Sequence, residues 1–367
     1  MTDDPLLNDD DALAPREYNF LLEEDGSAKQ EVAVKCSYTL RGLTEKEVQP
    51  WATFCATVFA YKTNPPPPEY FERHYYNDPL HKASLIRVAF TKGPEPKIVA
   101  SCRVFERYIS DGKGGSILAG GIGEVCTSDD HRRRGLSKEL MKDCIAIMMK
   151  NGMKASILHS ASSFFPVYRS IGYECTTSRW SLLDIIKPSI PFDTRISCRE
   201  ALFPDDTATL QCLHRSFSES RFVGCIVRSE TYWNMYISAE LKGTLFVLVN
   251  SMNQRPFACL SVRPRGDRWQ LREFSYDHIG NCSLSQAMQI LLQKALPDDA
   301  QRLHLPTFLV DQLHLDREAN KDWIRWDSLT EEDDRGWMYR PLGDGGVSVV
   351  EMSQASSPHL IWPADSF

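Results

Sequence analysis

The chain has 367 residues, 42% of them hydrophobic, and a formal net charge of −7 at neutral pH. That length favours two domains over one, and the acidic balance disfavours nucleic acid as a partner. No apolar run is long enough to span a bilayer, so no membrane partner is expected. The acidic start, Met1 to Leu21, lacks the basic and apolar regions of a signal peptide. Eleven scattered cysteines without a CxxC pair predict reduced core thiols, no metal site and a cytoplasmic setting, with a nuclear one left open.

Residues 1–31 are rich in acids and poor in periodic apolar content, and read as a mobile tail. Leu43 to Phe59 predicts a first helix, with Val48, Trp51, Ala52, Cys55 and Phe59 on one face. Pro65 to Pro68 is a stiff connector into a second helix, Glu69 to Tyr76, with Pro68 in its first turn. Strands are expected at Ser84–Thr91, Ile98–Tyr108 and Gly121–Thr127. The run His131-Arg132-Arg133-Arg134-Gly135-Leu136-Ser137 then leads into a helix from Leu136 to Lys150, stopped by Gly152. A further strand (Ala155–His159), a short helix (Ser163–Ser170) and a last strand (Tyr173–Ile185) complete an N-terminal domain over 32–186.

The second half repeats this order. Asp206–Phe217 matches the first helix, Thr244–Val249 and Pro256–Val262 the paired strands, Leu271–Ser275 the strand at 121–127, and Leu284–Leu296 the long helix. Its turn from Tyr276 to Ser283 holds one glycine, Gly280, and no arginine. A linker at 187–195, marked by Pro188 and Pro191, precedes this second domain (196–342), and 343–367 is a tail too short for a third.

A strand turning through a small-residue loop into a helix leaves backbone N–H groups unpaired at the positive end of the helix dipole. Gly135 lets a phosphate approach closely, and Arg132, Arg133 and Arg134 add charge. The pattern Arg132-x-x-Gly135-x-Ser137 resembles the pyrophosphate loop of the GNAT superfamily of acyl-CoA N-acyltransferases, with Ser137 where that family has Gly or Ala. With Tyr168-Arg169-Ser170-Ile171-Gly172-Tyr173, it is similar to the Eis-like tandem GNAT proteins, though without their sterol-carrier-like third domain. The expected fold is therefore α+β (mixed α/β), a tandem GNAT fold whose second copy is degenerate.

The resemblance implies an N-acetyltransferase that uses acetyl-CoA as co-substrate and passes the acetyl group directly to a primary amine. Val125, Cys126 and Thr127 would hold the pantetheine arm by their backbone, with the Val125 amide as oxyanion donor. Arg132, Arg133, Arg134, Gly135, Leu136 and Ser137 would hold the pyrophosphate, and Ser162 or Ser163 would add a contact. Tyr168 stands where the family carries its general acid. Glu124 is the natural general base; it also fits a solvated strand-edge glutamate. Cys126 and His159 read as core residues, and so do Tyr70, Phe71, Tyr75 and Tyr76, which could instead stack on a cation. The C-terminal carboxylate that serves Eis-like enzymes as base is not assigned to Ser366-Phe367, because the domain that positions it is missing. The acceptor is a small-molecule amine, such as lysine or a polyamine, or a protein lysine; fungal-type lysine N6-acetyltransferases also pair a GNAT domain with a divergent C-terminal half. The alternative class is a non-catalytic acyl-CoA-binding or scaffolding protein.

Overall fold

The computed structural model describes residues 15–21, 35–62, 64–190, 195–278, 282–355 and 357–365. Pro191 of the expected linker and Gly280 of the second turn lie outside them. The N-terminal half begins with β1 (Arg16–Leu21) and β2 (Lys35–Gly42), then α1 (Val48–Val58) and α2 (Pro68–Tyr76). The meander β3 (Ile86–Thr91), β4 (Ile98–Asp111) and β5 (Ser116–Thr127) leads into α3 (Leu136–Lys150). After it come β6 (Ala155–His159), α4 (Phe165–Arg169), β7 (Glu174–Cys175) and β8 (Trp180–Ile185).

The second half runs β9 (Ile196–Glu200), α5 (Thr207–His214), β10 (Val223–Ile226), α6 (Glu230–Tyr232) and α7 (Ser238–Glu240). Its meander is β11 (Leu245–Asn250), β12 (Pro256–Arg265) and β13 (Arg268–Tyr276), followed by α8 (Leu284–Ala295) and β14 (Arg302–Pro306). The chain closes with α9 (Thr307–Leu315), α10 (Arg317–Asn320), β15 (Ile324–Glu331), β16 (Trp337–Pro341) and α11 (Val349–Ala355).

Two sheets result. The first has the order β1-β2-β3-β4-β5-β6-β16-β7, with β10 added against β4; the second is β15-β8-β14-β13-β12-β11-β9. Helix α3 lies on one face of the first sheet. Its Leu136, Leu140, Met141, Cys144, Ile147 and Met148 are buried against Tyr38, Val104, Ile122 and Met338. Each such burial contributes roughly 1.5–3 kcal/mol. The opposite face carries α1 and α2, through Val48, Trp51, Cys55, Phe71 and Tyr75. Thr44 and Glu47 form a capping box that starts the first helical stretch, and Pro68 opens α2.

Three expectations change. The segment read as a mobile tail contributes β1, paired antiparallel with β2 from Arg16↔Leu40 to Leu21↔Lys35. Its Arg16 is held by Glu139 (3.2 Å) and Asp143 (2.7 Å) of α3, and its Tyr18 packs against the same helix's core, so long-range contacts anchor it. The boundary at 187–195 does not separate the sheets. The expected last strand, Tyr173–Ile185, breaks at Thr176–Arg179, where Ser178 bridges to Asp334. Beyond the break β8 joins the second sheet, between β14 and β15, while β16 crosses back to lie between β6 and β7. The segment read as a C-terminal tail packs into two of the molecule's cores. Leu360 and Trp362 enter one, and Val349, Ile361 and Ala364 the other. No helix among the described residues is long and apolar enough to cross a membrane.

Candidate active site

Strands β5 and β6 run parallel from Ala119↔Ala155 to Ile122↔Leu158, and their pairing ends there. On its other side β5 stays paired with β4, but the register shifts between Ser101 and Arg103. Glu124 sits inside that shift with φ 54°, a left-handed value rare for a residue with a side chain. It is the extra residue of a β-bulge. Strict alternation from Ile122 would turn Val125 to the opposite face. The bulge resets the phase, so Ile122 and Val125 both pack on the α3 side. Cys126 is then buried on the α1 side, with its Sγ 3.9 Å from that of Cys55. Alternation counted from Val125 puts Glu124 on the opposite face, where it is found; counted from Ile122 it does not, and the glycine-dense run Gly120-Gly121-x-Gly123 is the local sign of the bulge between them.

Glu124 faces the α2 side. One carboxylate oxygen is 3.5 Å from Nη1 of Arg103, and the other, Oε2, is buried with no hydrogen-bond partner. Burial pushes its pKa up, and Arg103 and His74 pull it part of the way back. This is no solvated edge glutamate. Tyr70, half-buried beside His74 with ring centres 4.1 Å apart, has its phenol pushed up to about 12 by burial and by Glu124 and Glu240. Phe71 and Tyr75 are core residues, whereas Tyr76 is exposed.

The loop ahead of α3 is built by its neighbours. Arg133 has φ 61° and Gly135 φ 75°, so the backbone makes two left-handed turns just before the helix. No side chain caps α3, and the N–H groups of Leu136, Ser137 and Lys138 have no partner within the helix. Arg132 and Arg133 are exposed, although Arg132 is paired with Asp129 at 2.7 Å. Arg134 turns inward instead: it donates to the Tyr38 hydroxyl (2.6 Å) and to the Asp130 carbonyl (2.7 Å), which makes it a strut of the loop and not a free cation. Gly135 also has a different reason from the expected one. A Cβ there would lie 2.7 Å from the Tyr18 hydroxyl, which donates to the Arg134 carbonyl at 3.0 Å. Leu136 points into the core, and Ser137 bonds Thr127 hydroxyl to hydroxyl at 2.9 Å.

Tyr168, on α4, packs against the α3 side of the sheet beside Tyr173, with ring centres 6.1 Å apart. Burial pushes its phenol up to about 12, and a hydrogen bond to the Ser160 side chain works the other way. The Ser156 hydroxyl bonds Tyr173, which is fully buried and structural. Ser162 and Ser163 are exposed in the turn before α4. Glu124 and Tyr168 thus approach the parted strands from opposite faces.

A cavity of about 1030 Å³ opens on the face away from α3. It is lined by His159, Trp180, Arg263, Arg265, His304, Glu332, Asp334 and Trp337, among others, from both sheets. His159 is not a core residue: it is 43% exposed, pairs with Asp334 at 3.0 Å and meets Trp337 edge-on. Sequence reasoning missed Arg103, His74, Glu240 and Arg263, because no local pattern marks an arginine or carboxylate that becomes buried by long-range pairing.

Residues 39–176 match the family model of an acetyltransferase (GNAT) domain. The chain carries a GNAT domain. The GNAT fold extends beyond the matched residues. A GCN5-related N-acetyltransferase from Anabaena variabilis ATCC 29413 superposes with TM-score 0.60 at 15% identity, covering 83% of this chain and 73% of that one. One from Kribbella flavida gives 0.59 at 17%, covering 84% and 71%. Eis1 from Mycobacterium abscessus gives 0.53 at 12%, covering 83% and 73%. At these identities the likeness is one of fold. No curated protein matches the chain in sequence.

Proposed function

We propose that this GNAT protein transfers an acetyl group from acetyl-CoA directly to a primary amine, on a small molecule or a protein lysine. The observation that carries the reading is the parting of β5 and β6 after Ile122↔Leu158, with a buried carboxylate on one face and a buried phenol on the other. The edge of β5 from Glu124 to Thr127 is then available to the pantetheine amides as a further strand. The uncapped start of α3, with Arg132 and Arg133 beside it, suits the pyrophosphate.

An alkylammonium with a pKa near ~10 must lose a proton before it can attack. The Oε2 oxygen of Glu124 has no partner and is aimed at the α2 side, so it can take that proton directly or through a water. The amine nitrogen then bonds to the thioester carbonyl carbon, whose oxygen is stabilised by the Val125 N–H. When the C–S bond breaks, the electron pair leaves with sulfur and Tyr168 supplies its proton, while the nitrogen sheds its remaining extra proton to water, which restores the phenol. A phenol near 12 stays protonated through the working range, ready to donate.

The test is acceptor-dependent thiol release from acetyl-CoA across an amine panel, with Tyr168→Phe beside the wild type. The expected result is release that falls about 10²-fold or more in kcat while acetyl-CoA binding is kept. Binding of CoA without release from any amine would instead identify an acyl-CoA-binding scaffold.

A further inference from the structure

The cavity between the two sheets is lined by Arg263, Arg265 and Arg268 and by four carboxylates, Asp267, Glu332, Asp333 and Asp334, so its imbalance of charge is local and lies in how these groups are paired. Its carboxylates are taken. Arg268 pairs with Glu332 and Asp267, Arg302 also with Asp267, His159 with Asp334 at 3.0 Å, and Arg335 lies 3.8 Å from Asp333. Glu240, just beyond the cavity, is held by Arg272 and by His74 at 3.7 Å. Two cations are left over. Among the described residues no carboxylate comes within ion-pair reach of Arg263 or Arg265. Arg263 spends Nε and Nη2 on the Gln270 side-chain oxygen (3.1 and 3.0 Å), so Nη1 remains.

A third group points the same way. His304 is 8% exposed and lines the cavity, yet neither ring nitrogen has a hydrogen-bond partner; the nearest carboxylate, of Glu332, is 3.9 Å away. Leaving a buried polar group unpaired costs roughly 1–3 kcal/mol, which a bound ligand can recover. Burial holds this histidine neutral, with its pKa near 4, so it offers one N–H and no charge. Its ring lies against Trp180, 4.9 Å between centres. Burial, together with Arg272 and Arg265, also pushes the Arg263 guanidinium down to about 10, and Glu240 pulls it part of the way back.

We propose that this cavity binds a carboxylate carried by the acceptor itself, with Arg263 as counter-charge and His304 as a second donor. The acceptor is then an amine that is also an acid, an amino acid or peptide, and not a bare polyamine. The proposal rests on the amine-transfer reading above: the ammonium end lies toward Glu124 and the acid end toward Arg263.

Lysine and cadaverine differ by one carboxylate and form the test pair. The wild-type kcat/KM for lysine should exceed that for cadaverine by roughly tenfold or more, the range of one charge-assisted hydrogen bond. Arg263→Gln should bring the lysine-to-cadaverine ratio to about one, and Arg263→Lys should keep most of it. A wild-type ratio near one, or an equal loss for both amines in Arg263→Gln, would overturn the proposal. Calorimetric titration of both amines into the protein–CoA complex reads the same ratio without turnover. Tighter lysine binding that Arg263→Gln abolishes, in a protein that releases no thiol, would sink the transfer reading and keep the carboxylate site; equal binding would sink the site alone.

Discussion

The starts of α3 and α8 occupy the same place in the two copies and are finished in opposite ways. At α3 the N-cap is Gly135, no side chain reaches back, and two arginines stand exposed beside it. At α8 the N-cap is Ser283, whose hydroxyl accepts from the Gln286 N–H while the Gln286 side chain accepts from the Ser283 N–H. That capping box uses up donors that a phosphate would otherwise take. One helix start is left open for an anion, and the other is closed by its own chain. In the second copy the donors at the helix start are satisfied from within the chain.

The same contrast holds for the strands before those helices. Each long hairpin breaks register just after a serine, Ser101 in the first copy and Ser261 in the second. In the first, Glu124 keeps a buried oxygen unpartnered. In the second, Glu273 is saturated: Arg228 lies 2.6 Å away and His214 3.4 Å, and Arg228 in turn binds Asp365 of the C-terminal tail at 2.6 Å. Exchanging each glutamate for glutamine should separate the two. Glu124→Gln should lower kcat by about 10²-fold or more at little cost in melting temperature. Glu273→Gln should leave kcat of the folded fraction alone and cost about 1–3 kcal/mol in unfolding free energy, because Arg228 loses one of its two buried carboxylates and keeps Asp365. If Glu273→Gln costs activity and not stability, the assignment of the copies is wrong.

The pH profile sharpens the first half of that comparison. A base works only when deprotonated, and burial raises the Glu124 pKa. Wild-type kcat should therefore fall as pH drops through a value above the ordinary carboxylate range. The phenol of Tyr168, near 12, should add no alkaline limb below about pH 10. In Glu124→Gln the acid limb should vanish; its persistence would move the base elsewhere.

A change at the open helix start comes next in size. Gly135→Val puts a side chain onto the Tyr18 hydroxyl and asks a β-branched residue to hold φ 75°. The KM for acetyl-CoA should rise about tenfold or more, a change that also tests whether β1 helps shape the loop. Tyr18→Phe, which removes only the hydrogen bond to the Arg134 carbonyl, should raise it less.

What the sequence made legible follows the range of the interactions. Helix α3 stands at its predicted bounds, Leu136–Lys150, because periodicity and a glycine stop are local signals. The repeat was legible for the same reason, copy by copy. The exchange of β8 and β16 was not: Trp180-Ser181-Leu182-Leu183 reads as a buried strand in either sheet, and only pairing decides which. Strand β1 escaped notice because long-range contacts with α3, not a local apolar pattern, hold it in place. Within the site, loop and phenol were visible as motifs. The aim of Glu124 depended on a bulge, and Arg263 depended on a cavity between sheets.

The smallest expected effect is the most direct probe of the closed helix start. Ser283→Ala removes the hydroxyl that accepts from the Gln286 N–H. Caps of this kind contribute about 1 kcal/mol, so chemical denaturation should show a loss of that order. Uncapping frees an N–H, but it supplies none of the arginines that precede Gly135. Acetyl-CoA should therefore still bind with a stoichiometry of about one per chain by calorimetry. A second equivalent would mean that the cap alone had been holding a competent site shut, and that the second copy is masked and not degenerate.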